Sequence, residues 1–203
     1  MNKTQSLSEK LEECFGCLSE PSIGQLKKAV DTFGVEIEKL IPYLENPEDR
    51  PYGRKLLYKS EALEVLVMNW AQNQPSAPHD HGSSFGWVKI VSGYSLNMLY
   101  QPNKNGVPVC AKTFVQQPGS IFFAPQGEIH AMQNLNLFSE PLISLHFYAP
   151  PISQMKVYDL VELKGGVVSD DCGAWWDKEK LLKEFEIITS TDFQYSGLYL
   201  SFK

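Results

Sequence analysis

A mainly β protein, its strands closed into an antiparallel barrel or jelly roll behind an N-terminal helical segment, is what this sequence predicts, and three observations carry the prediction. Between Lys55 and Tyr148, short runs rich in β-branched and aromatic residues follow one another with no helical pattern between them. Turn clusters such as Asn103-Lys-Asn-Gly106 and Gln117-Pro-Gly119 separate those runs at even spacing, as in barrels and jelly rolls. Residues 1–45, by contrast, carry helical periodicity behind serine-initiated capping patterns.

Taken in order, Ser6-Leu-Ser-Glu9 and Ser22-Ile-Gly-Gln25 each open an apolar-periodic helical segment. A third helical pattern, Val35 to Leu44, is interrupted by Pro42, and Pro47, Pro51 and Gly53 then mark a loop. Strands are predicted at Leu56–Tyr58, Ala62–Trp70, Trp87–Val91, Ser95–Tyr100, Val109–Val115, Gly119–Ala124, His130–Asn134 and Leu142–Tyr148. Pro150-Pro151 ends that region. Beyond it Asp177–Phe185 reads as helix, and Glu186–Ser190 and Gly197–Phe202 read as extended. Trp175-Trp176 suits either a cap on the barrel mouth or packing against its outside. The expectation is one domain over residues 1–203: helices in 1–50, the barrel core in 55–151, and an extension in 152–203 packing on the barrel.

Composition narrows the function. A chain of 203 residues with 43% hydrophobic and 12% aromatic residues is long enough for one well-cored domain. A formal charge of −6 argues against a nucleic-acid surface, though one well-placed arginine still lets an acidic protein bind an anion. No apolar run approaches the roughly 20 residues that cross a bilayer. The N-terminus lacks an apolar signal core, so a cytoplasmic protein with no membrane partner is expected, as a monomer or weak homo-oligomer. Cys14, Cys17, Cys110 and Cys172 are scattered and expected reduced. Cys14 and Cys17 form a C-x-x-C, but within the pattern Leu7, Leu11, Cys14, Phe15, Leu18 they read as small apolar residues on a helix.

The four histidines are more informative. His79-Asp80-His81 lies just before a strand, where residues two apart face the same way, about 6.5–7 Å apart along the chain. Two imidazoles at that spacing can converge on one metal ion with Asp80 turned to the other face. His130 is the natural third ligand, because it follows the turn Pro125-Gln-Gly127 and begins an apolar strand.

Gly119, Pro125, Gly127, His130 and Asn134 match the second motif of the cupin superfamily, G-x5-P-x-G-x2-H-x3-N, at every position. Its glycines permit backbone geometries that L-residues resist. Of the first cupin motif, His79, His81 and Gly93 match, but its acidic position holds Gly86. A cupin jelly-roll barrel is the fold expected. A site of three neutral histidines leaves a bound divalent ion its full charge, which favours a soft anionic ligand such as a thiolate. The ligand set alone suits Fe, Zn, Ni or Cu.

Over roughly residues 50–151 the chain resembles the cysteine dioxygenase family, cupins that oxidise L-cysteine to cysteine sulfinic acid with O2 and non-haem Fe(II). Pro78-His-Asp-His81 is similar to the family's ligand pair, and Glu128-Ile-His130 supplies the third ligand. Ser144-Leu-His-Phe-Tyr148-Ala-Pro-Pro151 resembles the family's S-L-H-x-Y-x-P-P segment. The resemblance implies a relay of Ser144, His146 and Tyr148 that brings the tyrosine hydroxyl to the iron site. Residues at i, i+2 and i+4 of one strand do line a single face. Tyr52-Gly-Arg54 resembles the family's Y-x-R, which implies that Arg54, with Tyr52, grips the substrate carboxylate; a planar guanidinium suits that task. Gly86 stands where animal members have a cysteine cross-linked to the relay tyrosine, so Tyr148 is expected without a cross-link.

The resemblance implies L-cysteine and O2 as reactants. Two alternatives stay open: dioxygenation of 3-mercaptopropionate or another thiol, and a metal-binding cupin without redox chemistry, such as an isomerase or ligand sensor.

Overall fold

The computed structural model describes residues 5–187 of the chain. Both serine capping boxes form: Ser6 starts α1 (Leu7–Phe15) and Ser22 starts α2 (Ile23–Thr32), each side chain accepting from the backbone N–H three residues on. A single-turn helix, α3 (Ile37–Leu40), follows, and the chain tightens into a short turn at Ile41–Tyr43 where Pro42 breaks the pattern.

Eleven strands are described. The first eight are β1 (Tyr52–Lys59), β2 (Glu64–Trp70), β3 (Phe85–Ser92), β4 (Ser95–Pro102), β5 (Pro108–Gln116), β6 (Ile121–Ala124), β7 (Ile129–Asn134) and β8 (Ile143–Ala149). Each of the eight runs predicted from sequence falls on one of them. Beyond Pro151 the chain adds β9 (Lys156–Asp159), β10 (Lys164–Val168) and β11 (Leu181–Glu186). The helix expected over Asp177–Phe185 is not there: Asp177–Lys180 is a turn and the rest is β11, paired to β10. Edge pairing to β10 overrides a local preference that Lys and Glu give to helix. The extended segment expected at Glu186–Ser190 falls mostly, and that at Gly197–Phe202 wholly, outside the described residues.

The sheets have the arrangement typical of the cupin superfamily. One has five strands in the order β1-β2-β8-β3-β6, the second is β5-β4-β7, and the C-terminal strands form a third, β11-β10-β9. Two cores follow from this layering. One lies inside, joining Leu66, Met68, Val88 and Tyr148 of the first sheet to Met132 of β7 and Val157 and Val168 of the third sheet. The other lies behind the first sheet, where Leu11, Phe15, Leu26 and Phe33 of the helices meet Val65, Val67, Leu145 and Phe147. Strand β8 is therefore buried along its whole length. Ile143, Leu145 and Phe147 face the helices, leaving Ser144, His146 and Tyr148 for the interior.

All four cysteines are free. The reading of Cys14 and Cys17 as apolar helix residues holds only in part: Cys14 lies half-buried near the end of α1, whereas Cys17 falls beyond the helix and is exposed. Among the described residues no helix is long and apolar enough to cross a membrane.

Candidate metal centre

His79 and His81 sit on the loop between β2 and β3, and His130 sits near the start of β7. A reciprocal pair of backbone hydrogen bonds, 2.9 Å each, locks His79 against His130. Both glycines of the turn-forming motif, Gly119 and Gly127, have positive φ, at 86° and 75°, so the turn that aims His130 inward needs them. Asp80 does turn away from its neighbours. Its Oδ1 accepts from the Gly82 and Lys156 N–H groups, 3.0 Å each, which ties the ligand loop to β9. Gly82 is required there as well, since a Cβ would lie 2.0 Å from the Ser153 carbonyl oxygen.

The three imidazoles are buried, and their ligand atoms lie within 4.8 Å of one another. No carboxylate among the described residues joins them. Their partners set the tautomers. His79 Nδ1 donates to the Ala77 carbonyl at 2.9 Å, and His130 Nδ1 donates to Asn97 Oδ1 at 3.2 Å, so each keeps a lone pair on Nε2. His130 Nε2 lies 3.2 Å from His81 Nε2, and buried His81 Nδ1 has no partner. Burial holds His79 down to about 4 and His81 and His130 well below the ordinary histidine value. Neutral imidazoles with converging lone pairs, two of them anchored through Nδ1 on carbonyl oxygens, make a facial triad able to hold a divalent metal ion.

Behind the triad runs a buried hydrogen-bonded row. Trp70 Nε1 donates to Ser144 Oγ at 2.8 Å; Ser144 Oγ and His146 Nε2 are 2.8 Å apart; His146 Nδ1 and the Tyr148 hydroxyl are 3.0 Å apart; that hydroxyl lies 3.1 Å from His81 Nε2. An indole N–H can only donate. With Trp70 feeding Ser144, the serine hydrogen goes to His146 Nε2, the His146 proton on Nδ1 goes to the Tyr148 oxygen, and the Tyr148 hydrogen points at the triad. Burial keeps His146 neutral, lowered to about 3, and holds the Tyr148 phenol well above its usual value, so Tyr148 enters as a neutral donor.

Arg54 and Tyr52 reach the same cavity, which Leu66, Met68, Met155 and Cys172 also line. The Tyr52 hydroxyl accepts from the Ala174 N–H at 2.6 Å, and its ring packs on Trp70 and Trp175. Trp175 and Trp176 are half-buried and pack against the inner core. Gly86 lies opposite Tyr148 across β3 and β8, and a Cβ there would come within 2.4 Å of the tyrosine ring. A larger open groove between α1 and α2, lined in part by Cys14, Cys17 and Lys28, lies apart from this chemistry.

Of the eight residues singled out from sequence, Tyr52, Arg54, His79, His81 and Tyr148 line this cavity; His130 stands beside His81, and Ser144 and His146 lie in the row behind Tyr148. Trp70 and Asn97 were missed. Asn97 had a signal: on β4 the polar Ser95 and Asn97 are the buried set while Leu96 and Met98 are less so, the reverse of an ordinary half-buried strand. Trp70 had none, because a strand-end tryptophan reads as core.

The chain is similar to several known proteins. The curated cysteine dioxygenase type 1 of Danio rerio is 23% identical over 139 residues, covering 61% of this chain and 69% of that protein. The Homo sapiens protein of the same name is 23% identical over 112 residues, covering 53% of this chain and only 56% of its own length. Among solved structures, a Klebsiella pneumoniae protein with a double-stranded β-helix domain aligns with a TM-score of 0.46 at 19% identity, over 55% of this chain and 86% of that one. Residues 48–161, more than half of the chain and including the triad, the relay and Arg54, match the profile of cysteine dioxygenase type I. The chain belongs to that family.

Proposed function

We propose that this protein is a thiol dioxygenase that converts L-cysteine and O2 to cysteine sulfinic acid at Fe(II) held by His79, His81 and His130. The observation that carries the reading is the pairing, in one cavity, of a carboxylate-free histidine triad with a tyrosine hydroxyl aimed at it. Iron bound there supplies the activation of O2 and of the substrate thiolate.

The chain's own residues do the positioning. Arg54 binds the substrate carboxylate through N–H groups of its guanidinium fork, and Tyr52 braces that end of the cavity. Leu66, Met68 and Met155 exclude water around the sulfur. The Tyr148 hydroxyl donates a hydrogen bond to the oxygen charge that develops during the reaction, and needs no reorganisation because Trp70, Ser144 and His146 have already fixed its direction. The proton held on His146 Nδ1 supports the Tyr148 oxygen throughout. A closed cupin barrel around this cavity is part of the proposal.

The test is O2 consumption by the iron-loaded protein with L-cysteine and 3-mercaptopropionate side by side, with identification of the product. Sulfinate formed faster from L-cysteine supports the reading. A faster rate on 3-mercaptopropionate would reassign the substrate, and Zn(II) retention with no thiol-dependent O2 uptake after iron loading would point to a non-redox cupin.

A further inference from the structure

Arg54 is not free in its cavity. Its Nη1 donates to two backbone carbonyls of one distant loop, 2.8 Å to Cys172 and 3.2 Å to Asp170. That loop is a tight turn closed by the Cys172 N–H on the Ser169 carbonyl at 2.9 Å and braced by Ser169 Oγ on Asp171. Two residues on, Ala174 grips the other carboxylate-end residue, its N–H donating to the Tyr52 hydroxyl, while its carbonyl accepts from Ala77 N–H at 2.9 Å. Trp175 then covers Tyr52 with ring centroids 5.2 Å apart and lies under Arg50. The turn itself faces the cavity through Ser169, Asp170, Cys172 and Gly173.

We infer that residues 169–175 form a substrate-recognition strap, which fixes the direction of the Arg54 fork and so sets the preference for thiols that carry a carboxylate. The physical argument concerns the cost of ordering. An unrestrained arginine loses rotamer freedom when it binds a planar anion. Two carbonyls on Nη1 meet that loss before the ligand arrives and leave the remaining N–H groups of the fork for the carboxylate. The carbonyls cannot themselves receive the anion, so they also exclude a carboxylate from the wrong side of the guanidinium. The strap lies beyond the stretch matched by the family profile, which ends at residue 161, so this element belongs to the part of the chain that the match does not describe.

The inference rests on Arg54 as the carboxylate partner, and it is tested by binding rather than turnover. Gly173→Val displaces the strap, because a Cβ at this position would fall 1.9 Å from the Trp175 ring. Trp175→Ala releases the strap from Tyr52 and serves should the first variant fail to fold. Anaerobic titration calorimetry of the iron-loaded protein with L-cysteine is expected to show affinity weakened about tenfold or more in the strap variants. The weakening should vanish when the same substitutions are made in Arg54→Ala protein, and affinity for cysteamine, which lacks the carboxylate, should stay unchanged. Equal L-cysteine affinity in folded strap variants, the same loss with or without Arg54, or an equal loss for cysteamine would overturn it. So would wild-type protein that does not bind L-cysteine. Protein that binds L-cysteine in the expected pattern but consumes no O2 would sink the dioxygenase reading and leave the strap standing.

Discussion

The hydroxyl of Tyr148 has one hydrogen, and three residues behind it decide where that hydrogen goes. Tyr148→Phe keeps the ring and removes the donor, so turnover of L-cysteine should fall about a hundredfold, the usual loss when one preorganised donor is removed, with folding unchanged by circular dichroism. Trp70→Phe acts further back. It leaves the buried Ser144 oxygen without its donor and should lower stability by about 1–3 kcal/mol in urea unfolding. Gly86→Ala should destabilise by a similar ~1–3 kcal/mol and slow turnover, since the added methyl must push the Tyr148 ring or the Phe147 carbonyl aside. A Gly86→Ala protein with unaltered melting temperature and rate would show that the ring has room to spare. At this scale the sequence was most readable, because metal ligands and special-φ glycines leave spacing behind them. Trp70 and the strap carbonyls leave none: one looks like core, and the others are backbone atoms that any residue carries.

Strand β8 shows what is and is not legible at the level of an element. Its composition, Ile-Ser-Leu-His-Phe-Tyr-Ala, announces an alternating strand, and the polar set does face the cavity. What alternation could not show is that the opposite face is buried as well, under α1 and α2. A strand with two buried faces couples the layers on either side. Leu145→Ala should cost about 2–5 kcal/mol, the range for opening a cavity in a packed core, read as a lowered urea midpoint. The C-terminal strands were misread for a related reason. Leu181–Glu186 carries helix-favouring side chains on an exposed edge, and only the register with β10 makes it a strand.

At the scale of the whole molecule the buried histidines dominate the response to acid. His79, His81, His130 and His146 are all depressed by burial, His79 to about 4 and His146 to about 3, while an unfolded histidine titrates near 6.5. Below that pH the unfolded chain takes up protons that the folded protein refuses. Stability is therefore fully present above about pH 6.5 and is lost as pH falls, at up to about 1.4 kcal/mol per pH unit for each imidazole. Metal-free protein should show a clearly lower urea midpoint at pH 5.5 than at pH 7.5, and equal midpoints would contradict the neutral, buried state of the triad. The mainly β architecture behind an N-terminal helical segment was foreseen from strand spacing and capping boxes. The third sheet was not, because it forms from segments whose pairing is specified only by where the earlier sheets leave an edge.

Cys172 gives the cavity a thiol of its own beside a site proposed to oxidise thiols. Burial pushes that group up to about 11, so at neutral pH it stays a protonated thiol and not the thiolate that ligates a metal or attacks an oxidant. The same burial that places its carbonyl on Arg54 keeps its sulfur chemically silent.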